Sequence, residues 1–267
     1  MASGWQTPLM LKVSVMGLKG GVGKTSVTLG LAGAATVRGL ATLVVDLDPQ
    51  GNATSILAAD EPTATVADVI ANPTIANLEA ALTACEWEVE PGEVDVLPST
   101  PDVVEFDAYK AGTFRPRLAR AISKLDGYDL VLFDCPPSHG SLVREALASS
   151  DVAIVVTTPS FFGGQGVDRA VETIEEVRKH HNADLKFGGV IINRVRSTVE
   201  EHAYRQQEIA EVHGRAAVLS PVIPERVAIQ QAESFGQPVQ TVPTAGAREV
   251  RELFEKHLNS LLRKYAK

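Results

Sequence analysis

The sequence predicts a single doubly wound α/β domain, a mostly parallel sheet with helices on both faces. Three observations point to it. Short apolar runs alternate with stretches of helical period, the pattern of repeated strand–helix–strand units. Several of those runs are continuously apolar, as strands covered on both sides must be. The 267 residues, 45% hydrophobic and 22% charged, are also enough to bury a large core without disulfides or metal.

Taken in order, strands are expected at residues 11–15, 42–45, 94–97, 130–133, 153–157 and 188–192, with a last one at 218–223. Helical periodicity covers residues 24–38, 117–124, 141–149, 166–180, 199–212 and 247–264. Residues 86–107 hold eight acids and no Lys or Arg, which reads as a solvated segment around a strand. No repeat or low-complexity tract interrupts the pattern, so residues 1–267 read as one domain, with residues 1–8 expected to be flexible.

Composition excludes several classes. Two cysteines, Cys85 and Cys135, make no disulfide framework and no Cys/His cluster, which suits a reducing cytoplasm without structural zinc. No run reaches 18 apolar residues, and the first residues lack the charged-then-apolar order of a secretory signal. A net charge of −8 argues against a surface that is basic all over. Any nucleic-acid contact would need a local patch.

The first apolar run ends in Leu18-Lys19-Gly20-Gly21-Val22-Gly23-Lys24-Thr25-Ser26, and a helix begins inside it. Glycines permit left-handed backbone and close approach of amides to oxygen. Free N–H groups and the dipole at a helix start favour phosphate. In this context Lys24 would meet the β- and γ-phosphates, and the Thr25 hydroxyl would hold Mg²⁺. The second run ends in Asp46-Leu47-Asp48-Pro49-Gln50-Gly51-Asn52, placing two carboxylates at a strand's carboxyl end. The run Leu130-Val131-Leu132-Phe133-Asp134 is an apolar strand ending in an acid, with Asp134 expected to meet Mg²⁺. Cys135 beside it is expected only to fill space.

Lys19 before the double glycine departs from the general phosphate loop, where a glycine would stand at Leu18. Together with the Asp48-Pro49-Gln50-Gly51-Asn52 segment, the run from Lys19 to Thr25 resembles the ParA/MinD group of P-loop ATPases, with further matching segments across roughly residues 11–262. The resemblance implies ATP and Mg²⁺ as cofactors. It implies that Lys19, Gly20, Gly21, Val22, Gly23, Lys24, Thr25 and Ser26 bind ATP, and that Asn193 and the backbone near Pro224 hold the adenine. Lys19 would reach across a homodimer to the partner's nucleotide. Asp48 would position the attacking water, with Asp46 supporting Thr25 and Asp134 at the metal.

For function, the resemblance implies an ATPase switch that dimerises with ATP and binds DNA without sequence preference. A ParB-like partner would stimulate hydrolysis, so that a cytoplasmic, nucleoid-associated protein positions chromosome, plasmid or protein cargo. Chromosomal members often read Pro-Arg-Asn-Val-Arg where this chain has Pro224-Glu225-Arg226-Val227-Ala228. The DNA contact is therefore expected at Arg194, Arg196 and Arg226. The alternative is a MinD-like membrane cycle, using the apolar stripe of residues 247–264 and the basic residues Arg263, Lys264 and Lys267. Helical stripes of this kind more often pack on their own sheet. An electron carrier of the nitrogenase-reductase type would need paired cysteines that the chain lacks.

Overall fold

The computed structural model describes residues 10–266 apart from Glu88, Tyr109 and Ala111. The expectation for residues 1–8, and Lys267, lie outside the described residues. Seven strands form one sheet: β1 (Leu11–Met16), β2 (Thr42–Asp46), β3 (Thr83–Ala84), β4 (Val94–Leu97), β5 (Leu130–Asp134), β6 (Val152–Thr157) and β7 (Lys186–Ile192). Their order is β3-β4-β2-β5-β1-β6-β7, and every pairing is parallel except that of β3 with β4. The expected doubly wound sheet is thus present.

Side-chain alternation divides the core into two layers. Val13, Val44, Leu132 and Ile154 point to one face. Leu43, Val45, Phe133 and Val155 point to the other. The first layer is covered by α1 (Lys24–Val37), α2 (Asn52–Leu57), α9 (Val227–Ser234) and α10 (Ala245–Tyr265). The second is covered by α3 (Val66–Ala71), α4 (Ile75–Ala81), α5 (Leu118–Ile122), α6 (Ser141–Ser149), α7 (Phe161–His180) and α8 (Glu200–His213). Helices on both faces explain why the strands read as unbroken apolar runs.

Three local readings are corrected. Residues 218–223 form no strand; the chain makes only single bridges, Val190 to Val218 and Val195 to Pro224. Pro221 and Pro224 have no N–H to give a ladder. Helix α7 starts at Phe161, five residues before the expected start, because Ser160 caps it through the Gly163 amide at 3.2 Å. Gly163, Gly164 and Gly166 hide that first turn from a periodicity reading. Helices α2, α3, α4 and α9 also add to the expected set.

The C-terminal stripe is packed: Val250, Phe254, Leu258 and Leu261 of α10 are buried in the layer beneath α1. Gly30 makes this possible, since a Cβ there would stand 2.3 Å from the Phe254 ring. The apolar face that a membrane anchor would need is spent on the core. Among the described residues, no helix is long and apolar enough to cross a membrane.

Candidate active site

Four loops meet at the carboxyl edge of the sheet, those following β1, β2, β5 and β7, as the doubly wound topology requires. Between them lies a cavity of about 550 Å³ whose lining includes Gly20, Lys24, Thr25, Asp48, Pro137 and Arg194. The phosphate loop is shaped by Gly21 and Gly23, with φ of 75° and 90°. A Cβ on Gly23 would come within 2.2 Å of the Asn193 amide nitrogen. Lys24 opens α1, is buried and lines the cavity. Lys19 is exposed and makes no hydrogen bond or ion pair among the described residues.

Thr25 Oγ1 donates to Asp134 Oδ2 at 2.6 Å, and Thr28 Oγ1 donates to Asp134 Oδ1 at 3.1 Å. These bonds join the start of α1 to the end of β5. Burial, and then the neighbouring Asp46, push the Asp134 carboxyl well above the ordinary carboxylate range, against the pull of Thr25 and Lys24. Burial likewise raises Asp46. Two buried carboxylates so close together call for a cation, and Lys24 supplies one charge. Among the described residues no cluster of three or more His, Cys, Asp or Glu could hold a metal. Mg²⁺ needs no such cluster, since it takes one or two protein oxygens and completes its shell with water and phosphate. Thr25 Oγ1 and Asp134 are the fitting donors.

Asp46 has another task. Its Oδ2 accepts from the Thr54 amide and hydroxyl, both at 2.8 Å, and its Oδ1 accepts from the Asp48 amide at 3.0 Å. It therefore folds the loop that carries Asp48; neither Asp46 nor Asp134 lines the cavity directly, but Asp134 is joined to it by the Thr25 hydroxyl. Asp48 does line it, steadied by the Gln50 amide at 3.0 Å.

At the opposite end, Asn193 donates from Nδ2 to the Val22 carbonyl at 2.9 Å and accepts the Arg194 amide at the same distance. Asn193 and Pro224 share a small cleft beside Ser26, rather than the main cavity. Arg194 lines both and adopts a left-handed φ of 56°. Arg196 is ion-paired with Glu225. Arg226 is held by Glu249 through two bonds of 2.8 and 2.9 Å. Of these three arginines, only Arg194 leaves its guanidinium without a partner among the described residues.

Sequence reasoning passed over Glu233, which accepts a hydrogen bond from Ser26 Oγ and lines the cavity from α9. It lies in a matching segment, but an acid on a short helix carries no signal of its own. Cys135 is fully buried behind Asp134, where it fills space, and burial raises its thiol further from ionisation.

Comparison with known proteins settles the family. A family model described as an AAA domain matches residues 10–187. The chain is 33% identical to the chromosome-partitioning ATPase Soj of Thermus thermophilus, across 92% of this chain and 94% of that protein. The chain belongs to the ParA/Soj family of ATPases. This ParA-type chain is also 30% identical to the chromosome partitioning protein ParA of Myxococcus xanthus, across 88% of its own length and 82% of that protein's. Among solved structures, cobyrinic acid a,c-diamide synthase from Mycobacterium smegmatis with bound ADP and magnesium superposes with a TM-score of 0.77. It is 29% identical, and the match covers 96% of each chain.

Proposed function

We propose that this ParA-type ATPase is an ATP-operated dimer switch that binds DNA without sequence preference in its ATP form and positions chromosome, plasmid or protein cargo. Lys24 and the loop amides would hold the phosphates, with Thr25 and Asp134 holding Mg²⁺, which neutralises charge on the β- and γ-phosphates. Asp48 orients the attacking water, and Asn193 with the Pro224 backbone borders the base. Positioning and charge neutralisation are most of what phosphoryl transfer needs.

The observation that carries this reading is Lys19, exposed beside a complete phosphate loop and unbonded among the described residues. A lysine so placed can serve the nucleotide of a second copy. Hydrolysis then depends on dimerisation, and a ParB-like partner acting on the dimer would set its rate. DNA contact falls to Arg194, Arg196 and Arg226, where phosphates would displace Glu225 and Glu249 from the latter two.

The test is co-sedimentation of Asp48→Ala protein with random-sequence DNA and with anionic liposomes, each with ADP or ATP. DNA binding with ATP alone, falling steeply with salt, is expected. Binding to liposomes instead, or DNA binding indifferent to nucleotide, would overturn the reading.

A further inference from the structure

Away from the nucleotide cavity, the first turn of α7 and the length of α8 form a face whose composition is unusual for free surface. Phe161, Phe162, Tyr204 and Val212 are 53%, 65%, 59% and 65% exposed. They are half of the large apolar side chains left exposed among the described residues. Helix α8 buries only Ile209 of its 14 residues, although a helix of this length is marginal unless something packs on it. On α8, Tyr204, Glu208 and Val212 follow at i, i+4 and i+8, so they form one ridge. Beside that ridge runs a cleft of about 110 Å³, bordered across from it by Phe161 and Asp168. Its floor is bare, because a Cβ on Gly164 would meet nothing within 4 Å. The cleft shares no lining residue with the nucleotide cavity.

The charges say what kind of occupant fits. The rim holds three carboxylates against one permanent cation: Arg205 bonds Glu201 at 2.7 Å and Glu208 at 2.9 Å, while Asp168 meets the His213 ring at 3.0 Å. Arg205 is itself spread over the rings of Phe161 and Tyr204, at 5.3 and 5.0 Å. The apolar cleft therefore has an acidic rim. Nucleic acid and anionic lipid would meet repulsion there. A second copy joined about a two-fold axis would set the same acids against themselves. We propose that this face docks a segment of another protein in which a large apolar side chain sits beside Lys or Arg, the apolar group entering the cleft and the cation meeting Glu208 and Asp168.

A displayed library of random 12-residue peptides, selected on the intact protein with ADP, tests this. Recovered peptides are expected to combine Phe, Trp or Leu with Lys or Arg. Fluorescence anisotropy of a labelled recovered peptide should show at least a roughly tenfold loss of affinity for Phe161→Ser, and separately for Glu208→Lys. Both positions are surface-exposed enough for the variants to fold. Failure to recover peptides, recovery of acidic or uncharged ones, or binding to either variant as tight as to the unaltered protein would overturn the proposal. So would loss of ATP-dependent self-association in Phe161→Ser with peptide binding intact, which would give the face to a second copy. Loss of DNA retention in that variant, with peptide binding intact, would give it to nucleic acid. Peptide binding is read without DNA, dimerisation or hydrolysis, so its failure is separable from failure of the switch reading.

Discussion

Asp46 and Asp134 stand at the same register position on neighbouring strands, so two buried carboxylates lie side by side at the ends of β2 and β5. The chain divides them by their hydrogen bonds. Asp46 is used up by Thr54 and Asp48, whereas Asp134 takes only hydroxyl groups that a metal or phosphate can share. Replacing Asp134 by Asn keeps the shape and one of the two hydroxyl donations, the other hydroxyl turning to accept from Nδ2, and removes one of two repelling charges. Asp134→Asn should therefore stabilise the nucleotide-free protein by on the order of 1 kcal/mol. It should also lower ATP hydrolysis by roughly 100-fold or more. Chemical denaturation and phosphate release are the two readouts. A destabilised variant would show that Asp134 is structural first.

Arg194 carries backbone strain. A non-glycine residue at φ 56° costs about 1–2 kcal/mol relative to glycine, and its side chain is set at the rim of the nucleotide cavity. Arg194→Gly should raise the denaturation midpoint while weakening ATP binding severalfold, measured by titration with a fluorescent ATP analogue. Strain kept for function is lost together with that function. Unchanged affinity with raised stability would leave the arginine to DNA alone.

How far the sequence could be read follows from the range of the forces involved. β1, β2, β5 and β6 were legible because burial on both faces demands unbroken apolar runs. The phosphate loop was legible because glycine and lysine at a helix start have few other uses. The division between Asp46 and Asp134 was not, since it depends on Thr54 lying eight residues along a folded loop. Nor were the ion pairs of Arg196 and Arg226, because Glu225 and Glu249 reach them only through the tertiary fold. Residues 218–223 misled for a simpler reason: their apolar character is real, and Leu219 and Ile223 donate to β7, but Pro221 between them has no amide to continue a ladder.

Gly30 offers a test of packing rather than chemistry. Helix α10 lies so close to α1 that any side chain at position 30 would enter the ring of Phe254, itself 1% exposed. Gly30→Ala gains some helix propensity, yet should lose about 1–3 kcal/mol to overpacking. Adding Phe254→Leu returns part of the space. The double variant should be less destabilised than the sum of the singles by more than about 0.5 kcal/mol. Strict additivity in urea denaturation would mean that the helices simply move apart.

Glu145 on α6 gives the clearest pH signature. Its carboxylate is buried and accepts the Arg117 and Leu118 amides, each at 2.8 Å, at the start of α5. Burial outweighs those bonds and raises its pKa from 4.5 to about 7. Between those two values the folded protein holds a proton that the unfolded chain has released. Stability from this group is therefore greatest at low pH and is lost as pH rises through the window, by up to about 1.4 kcal/mol per pH unit. Glu145→Gln cannot ionise and still offers an oxygen to one of the two amides. Its stability relative to the wild type should climb from pH 5, while only the unfolded chain ionises, and level off above about pH 7, where the native carboxylate charges too. Guanidinium denaturation at four pH values measures that difference directly, and other titrating groups cancel between the two proteins. Parallel pH profiles would mean that Glu145 is already ionised in the folded state at pH 5, with the α5 amides outweighing its burial.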